Sequence, residues 1–391
     1  MTLADRWLLP EGVDEALPLQ AAKIEHLRRT LLNLHESWGY QLVIPPLLEY
    51  LDSLLTGAGS DLEIETFKVI DQLSGRLMGI RADFTSQVAR IDAHCLKGEG
   101  VQRLSYCGSV LRTMPTGLDG SRCPIQLGAE IYGHGGVESD IEVLSLMLQT
   151  LSVAGLKNLV LDLGHVDIVS GILSVCQLEE EQQSKLIELY KAKDLPELDR
   201  YVESLDLDAK QKEWLVNLPR LCGGAEVLQR AETLFAGVSD SIAQALALLS
   251  QVSDAVTKRF PDVGLHFDLS DLVSYSYHTG LVFAAYLPAH GNAIARGGRY
   301  NNIGQVFGRS RPATGFSTDV KALVGLVDVS VEQASTVLAP ICSSAELWQK
   351  VNELRSEGYR VIEALDGSEL ARADFTLELS GQIWQLVPVK N

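Results

Sequence analysis

The chain has 391 residues, 46% hydrophobic and 21% charged, the composition of a globular protein with material for two or three domains. Its 51 acidic side chains against 33 lysines and arginines leave a net charge of −18, and no run of clustered Lys and Arg offsets it, so a duplex or tRNA backbone would be repelled. The opening "MTLADRWLLPEG" lacks a basic start followed by an apolar core, and no apolar run approaches the roughly 20 residues that span a bilayer, so a cytoplasmic chain without membrane contact is expected.

In chain order, a long helix is predicted from about Leu17, because Ile24, Leu27, Leu31 and Leu34 recur on one helical face, and Gly39 ends it. "YQLVIPPLLEY" reads as a strand, and Pro45-Pro46 confine it to a sheet edge or an interface. "FKVIDQLSGRLMGIR" predicts a hairpin turning at Ser74-Gly75, and "RADFTSQVAR" then enters a helix near Thr85 or Ser86. "VQRLSYCGSVLR" and "PIQLGAEIYG" are strand-like, separated by the polar loop "TMPTGLDGSRC". A helix over "DIEVLSLMLQTLSVAGL" and a strand over "NLVLDLGHV" follow. From about 177 to 260 the leucine spacing and abundant Glu, Gln and Lys predict an inserted all-helical unit. "GLHFDL", "GLVFAAYL" and "NAIARGGRY" are strand-like again. Strands in local succession predict an α+β fold with a mainly antiparallel sheet over residues 1–325. Residues 331–391 read as β-α-β-α-β-β, a small C-terminal α/β domain.

The cysteines are Cys95, Cys107, Cys123, Cys176, Cys222 and Cys342. None forms a C-x-x-C pair and no two sit with histidines at zinc-ligand spacing, so reduced thiols and no metal or cofactor are expected. His94-Cys95 is adjacent in sequence, but no third group is placed to orient it as a nucleophile. The glycines of "GGRY", Gly297 to Tyr300, read as a tight turn.

Several motifs together resemble one family. The long helix with its Pro-containing strand resembles motif 1 of class II aminoacyl-tRNA synthetases, "RLSYCGSVLR…PIQLGAEIYG" resembles motif 2, and "ATGFSTDVKAL" resembles motif 3. "IRADFTSQVAR", "SYSYHTGLVF" and "IARGGRYNNIG" look like the histidine-binding motifs of histidyl-tRNA synthetase. The resemblance implies a class II synthetase-like antiparallel sheet flanked by helices, with a helical insertion. It also implies a homodimer built on the motif 1 helix and strand.

The departures from that family concern the ATP half of the site. Met114 stands at the motif 2 glutamate, Lys321 and Ala322 at the closing Glu-Arg of motif 3, and Val273 at the catalytic arginine. Adenylate formation needs positive groups placed beforehand on the ATP phosphates, and each lost donor typically costs about a hundredfold.

The amino-acid half is kept in part. By resemblance, Asp83 takes a histidine α-ammonium with Thr85 beside it and Gln126 sharing the role, Arg112 pairs with the carboxylate, and Glu130 accepts from the imidazole. Tyr277 and His278 occupy the place of two tyrosines at the imidazole end, and Tyr300 closes "GGRY". Each has a plainer alternative: Asp83 as a helix cap, Arg112 as a neutraliser of nearby carboxylates, Glu130 as a hydrogen-bonded strand carboxylate, His278 as core filling.

The C-terminal segment resembles a shortened anticodon-binding domain, yet carries nine acidic against five basic residues over 331–391, which disfavours phosphate contacts. A synthetase-like chain with these properties is similar to the regulatory-subunit family of ATP phosphoribosyltransferase. That resemblance implies a non-catalytic partner of a short-form catalytic subunit, commonly in a hetero-octamer, with histidine as allosteric ligand. A divergent histidyl-tRNA synthetase and a synthetase-like module for another ligand are the alternatives.

Overall fold

The computed structural model describes residues 7–389 apart from 57–59, 116–119, 271–277, 289, 332, 342 and 366–372. The chain divides into two compact units, Met1–Val329 and Ser330–Asn391.

In the first unit the strands are β1 (Gln41–Leu42), β2 (Leu48–Tyr50), β3 (Phe67–Ile70), β4 (Leu77–Ile80), β5 (Gln102–Ser109), β6 (Ile125–Tyr132), β7 (Val160–His165), β8 (Cys222–Gly223), β9 (Gly264–Asp268), β10 (Leu281–Tyr286), β11 (Ala295–Arg299) and β12 (Ala313–Asp319). Nine of them form one sheet in the order β1-β5-β6-β12-β11-β10-β7-β9-β8. Its pairs are antiparallel except β1 with β5 and β7 with β9. A smaller sheet has the order β2-β4-β3. Its β3–β4 hairpin turns at Gly75, whose φ of 70° suits glycine.

The predicted strand across Pro45-Pro46 is interrupted. β1 ends at Leu42 and β2 begins at Leu48, in different sheets, because a proline offers no N–H to a ladder. The bare carbonyls are taken by Arg81, whose Nη1 donates to Pro45 O at 2.8 Å and Pro46 O at 3.4 Å.

Strand alternation divides the main sheet into two faces. On β6, Leu127, Ala129 and Ile131 join the large core formed with the helices Pro18–Ser37 and Val137–Val153. His35 lies fully buried in that core with Nε2 3.1 Å from Thr150 Oγ1, and burial lowers its pKa to about 4, so it is neutral at pH 7. The opposite face carries Gln126, Glu130 and Tyr132 of β6 with Leu104 and Tyr106 of β5. A second cluster forms there from Phe84, Val88, Leu104, Tyr106, Tyr132 and Tyr300.

The segment expected to be all-helical contains the helices Glu180–Ala192, Leu195–Ser204, Ala209–Asn217, Glu226–Leu234 and Asp240–Arg259. It also contains β8, which pairs with β9 and extends the main sheet. Two hydrogen-bonded residues are too short to show a period in sequence.

The second unit contains β13 (Thr336–Ala339), the helix Ala345–Ser356, β14 (Arg360–Glu363), β15 (Phe375–Ser380) and β16 (Ile383–Pro388). Its sheet order is β14-β13-β15-β16, over a core of Val337, Leu347, Val351, Leu354 and Leu377. The second predicted helix, "SELARA", falls almost wholly on 366–372, outside the described residues.

Candidate functional site

Glu130 lies at the middle of this second face of the main sheet. It is 1% exposed, with Leu104 of β5 and Gly315 of β12 as its cross-strand neighbours. Tyr106 Oη donates to its Oε1 at 3.0 Å. Among the described residues its Oε2 has no well-formed hydrogen bond, the Thr85 hydroxyl being the near donor. Burial first, and then the Asp83 carboxylate, push its pKa well above the carboxylate range, against the pull of the Tyr106 and Thr85 hydroxyls. A buried carboxylate oxygen without a well-formed hydrogen bond is costly unless a better donor arrives or the group takes a proton.

Two glycines make room for this arrangement. A Cβ on Gly315 would fall 1.6 Å from Glu130 Oε2, and one on Gly128 would fall 2.3 Å from Tyr106 Oη. The Tyr106 ring stacks on Phe84 with centroids 4.6 Å apart and planes 9° apart. Arg81 covers the far side of Phe84 at 3.9 Å, and its Nε donates to Ser109 O at 2.9 Å. A guanidinium over an aromatic face is attractive and rigid, so the stack fixes one wall beside Glu130.

That wall is the turn entering the helix Thr85–Arg90. Asp83 Oδ1 accepts the Thr85 N–H at 2.7 Å, and Oδ2 accepts from Gln126 Nε2 at 2.6 Å. Gln126 Oε1 in turn accepts the Phe84 N–H at 3.3 Å, which sets the amide's orientation. Asp83 therefore satisfies one N–H at the helix entrance from the position before the N-cap Phe84, and the same carboxylate also faces Glu130 electrostatically.

The structure thus brings Asp83, Thr85, Gln126 and Glu130 together. Arg112 reaches the same wall, its Nε 3.4 Å from Ala82 O and 3.8 Å from Glu65 Oε2. On the other side His278 lies over Gly298, where a Cβ would meet the ring at 2.4 Å. Tyr300 is 3% exposed, within the Phe84–Tyr106 cluster. Tyr277 and Val273 lie outside the described residues.

The tight-turn reading of "GGRY" is corrected by the structure. Gly297 and Gly298 are in the middle of β11, and their side-chain space is taken by Phe283 and Gly315 O on one side and His278 on the other. The arginine of this motif also has a role that sequence did not signal. Arg299 is 5% exposed and binds Asp140 at 2.9 Å, Ser139 Oγ at 2.9 Å and Gly136 O at 3.1 Å, tying β11 to the start of the helix Val137–Val153.

At the ATP end, Lys321 is committed elsewhere, with Nζ 2.7 Å from Asp14 Oδ2 and 3.2 Å from Cys123 O. Met114 is 64% exposed. Tyr106, Phe84 and Arg81 were missed as site residues. The signal available for Tyr106 was its alternation with Leu104, which puts it on the Glu130 face.

The fold defines a class II aminoacyl-tRNA synthetase-like protein. A family model described as histidyl-tRNA synthetase matches residues 12–323, and one described as the ATP phosphoribosyltransferase subunit HisZ C-terminal domain matches 334–387. The chain belongs to the family of ATP phosphoribosyltransferase regulatory subunits. It is 79% identical to a protein of that name from Marinomonas sp. (strain MWYL1), over the whole of both chains. A second, from Thioalkalivibrio sulfidiphilus, is 51% identical over 94% of this chain and 93% of its own. The crystal structure of an ATP phosphoribosyltransferase regulatory subunit/histidyl-tRNA synthetase from Bacillus halodurans is similar with a TM-score of 0.79 and 27% identity, covering 91% of this chain and 92% of that one. Among the described residues, no helix is long and apolar enough to cross a membrane.

Proposed function

We propose that this chain is a non-catalytic regulatory subunit which activates a short-form ATP phosphoribosyltransferase and relays feedback inhibition by histidine in the first step of histidine biosynthesis. Family membership supports the partner. The observation that carries the ligand reading is Glu130 Oε2, buried without a well-formed hydrogen bond beside a second carboxylate, Asp83. An amino acid with a cationic or N–H-bearing side chain supplies what that oxygen lacks. In this reading Glu130 accepts from the imidazole, Asp83, Thr85 and Gln126 surround the ammonium, and Arg112 pairs with the carboxylate. Tyr277, His278 and Tyr300 close the imidazole end.

The chain works in the cytoplasm as a homodimer at the core of a hetero-octamer. Its N-terminal 1–325 form the synthetase-like domain and 331–391 the small C-terminal one. The pocket senses histidine and does not transform it.

The experiment is co-purification with a short-form catalytic subunit, followed by phosphoribosyltransferase assays with and without this chain. Activity should rise on adding the chain and fall on adding histidine. A catalytic subunit that neither binds the chain nor changes rate with it would refute the reading.

A further inference from the structure

At the opposite end of the main sheet from β1, three neighbouring strands bring a thiol, an imidazole and a carboxylate into line. Cys222 Sγ of β8 lies 3.4 Å from His266 Nε2 of β9, and His266 Nδ1 lies 2.8 Å from Asp162 Oδ1 of β7. The register explains the arrangement. Asp162 is directly beside His266, whereas Cys222 is opposite Asp268, two residues on and so on the same face as His266. Cys222 is exposed, so a small molecule can reach the sulfur. Nucleophile, base and orienting acid are therefore in hydrogen-bond sequence, the geometry by which an imidazole removes a proton from an attacking thiol.

We propose that Cys222, His266 and Asp162 form a nucleophilic thiol relay, and that Cys222 is a site of thiol–disulfide exchange with small neutral or cationic disulfides. Asp162 orients the ring so that Nε2 faces the sulfur. His266 takes the thiol proton as Sγ attacks one sulfur of the disulfide. A new S–S bond forms to Cys222, the old S–S bond breaks, and the proton passes to the departing thiolate. Electrons and atoms balance with the disulfide as the sole co-reactant.

The surroundings explain why the base is needed and which disulfides are admitted. Burial and the Asp268 carboxylate, with a smaller contribution from Asp162, hold the thiol above its usual range, and Lys193 only partly opposes them. Lys193 is itself bound to Asp268 at 2.6 Å and to Ser270 Oγ at 2.8 Å. Glu226 sits nearby, accepting the Gly224 N–H at 3.1 Å. The thiol at rest is protonated among carboxylates, which disfavours anionic reagents and makes proton removal by His266 the enabling step.

The test treats the full chain with the cationic disulfide cystamine and follows it by intact mass and peptide mapping. Cys222 should be modified ahead of Cys95, which is also exposed and so serves as an internal control. His266→Gln should slow modification of Cys222 by about ten- to a hundredfold at neutral pH, and its rate–pH profile should move to higher pH, where the thiol ionises unaided. Modification of Cys95 as fast as Cys222 in the wild type would overturn the proposal without any variant. So would a His266→Gln profile that lies on the wild-type curve.

Discussion

Glu130 and Gly315 share one space. They are cross-strand partners on β6 and β12, and the carboxylate of the first fills the volume that a side chain on the second would need, with a Cβ falling 1.6 Å from Oε2. Gly315→Ala should therefore displace a carboxylate that Tyr106 holds on its other oxygen. Overpacking of this kind costs about 1–3 kcal/mol. A lower melting temperature together with weakened histidine binding by calorimetry is expected, and unchanged values of both would contradict the geometry.

Glu130→Gln keeps the shape and removes the charge that the carboxylate would take on when a cationic or N–H group binds it. A charge-assisted contact is worth roughly 1.5–3 kcal/mol, so histidine binding should weaken by about ten- to a hundredfold. By linkage, the phosphoribosyltransferase complex should still be activated by the variant but need more histidine for inhibition. An inhibition curve that coincides with the wild type would count against the pocket.

The same substitution predicts a pH signature in the unliganded protein. Glu130 has a folded-state pKa raised well above 4.5, so the folded chain holds a proton that the unfolded chain has lost. Stability from this group is full below 4.5 and falls as pH rises towards the raised value. Glu130→Gln should remove that fall. Its melting temperature relative to wild type should therefore improve as pH increases above 4.5, and a gap independent of pH would refute the shift.

Arg299 and Asp140 are both buried and bound at 2.9 Å. Arg299→Met leaves Asp140 uncompensated and should cost about 3–5 kcal/mol. Adding Asp140→Leu should recover part of the loss, because the stranded charge goes with it. Urea unfolding of the single and double variants measures this, and a double variant no better than the single one would argue against it.

The altered ATP end predicts no histidyl-adenylate. With Met114 exposed and Lys321 held by Asp14, histidine-dependent exchange of pyrophosphate into ATP should stay at the no-protein blank. Exchange above the blank would restore the synthetase alternative.

The order of elements was legible because periodicity is local. Ile24, Leu27 and Leu31 face the core in the helix Pro18–Ser37 as their spacing predicts, and the hairpin turns where Gly75 offers a positive φ. The motif order likewise pointed to the class II sheet, and the structure then puts Glu130 and Gln126 on one face of β6. Local pattern failed where a residue's role depends on a distant neighbour. "GGRY" read as a turn because glycine permits one, whereas the structure uses the missing side chains to seat His278 and Phe283.

By itself, then, the sequence determined the class II framework and the family, since hydrophobic period, turn residues and motif spacing are properties of consecutive residues. Only the tertiary structure decided the pairings that carry chemistry. Arg299 meets Asp140 across 159 residues, and Cys222 meets His266 across 44. Such contacts are set by strand register and sheet order, and a one-residue slip in register would turn Arg299, Cys222 or His266 to the other face.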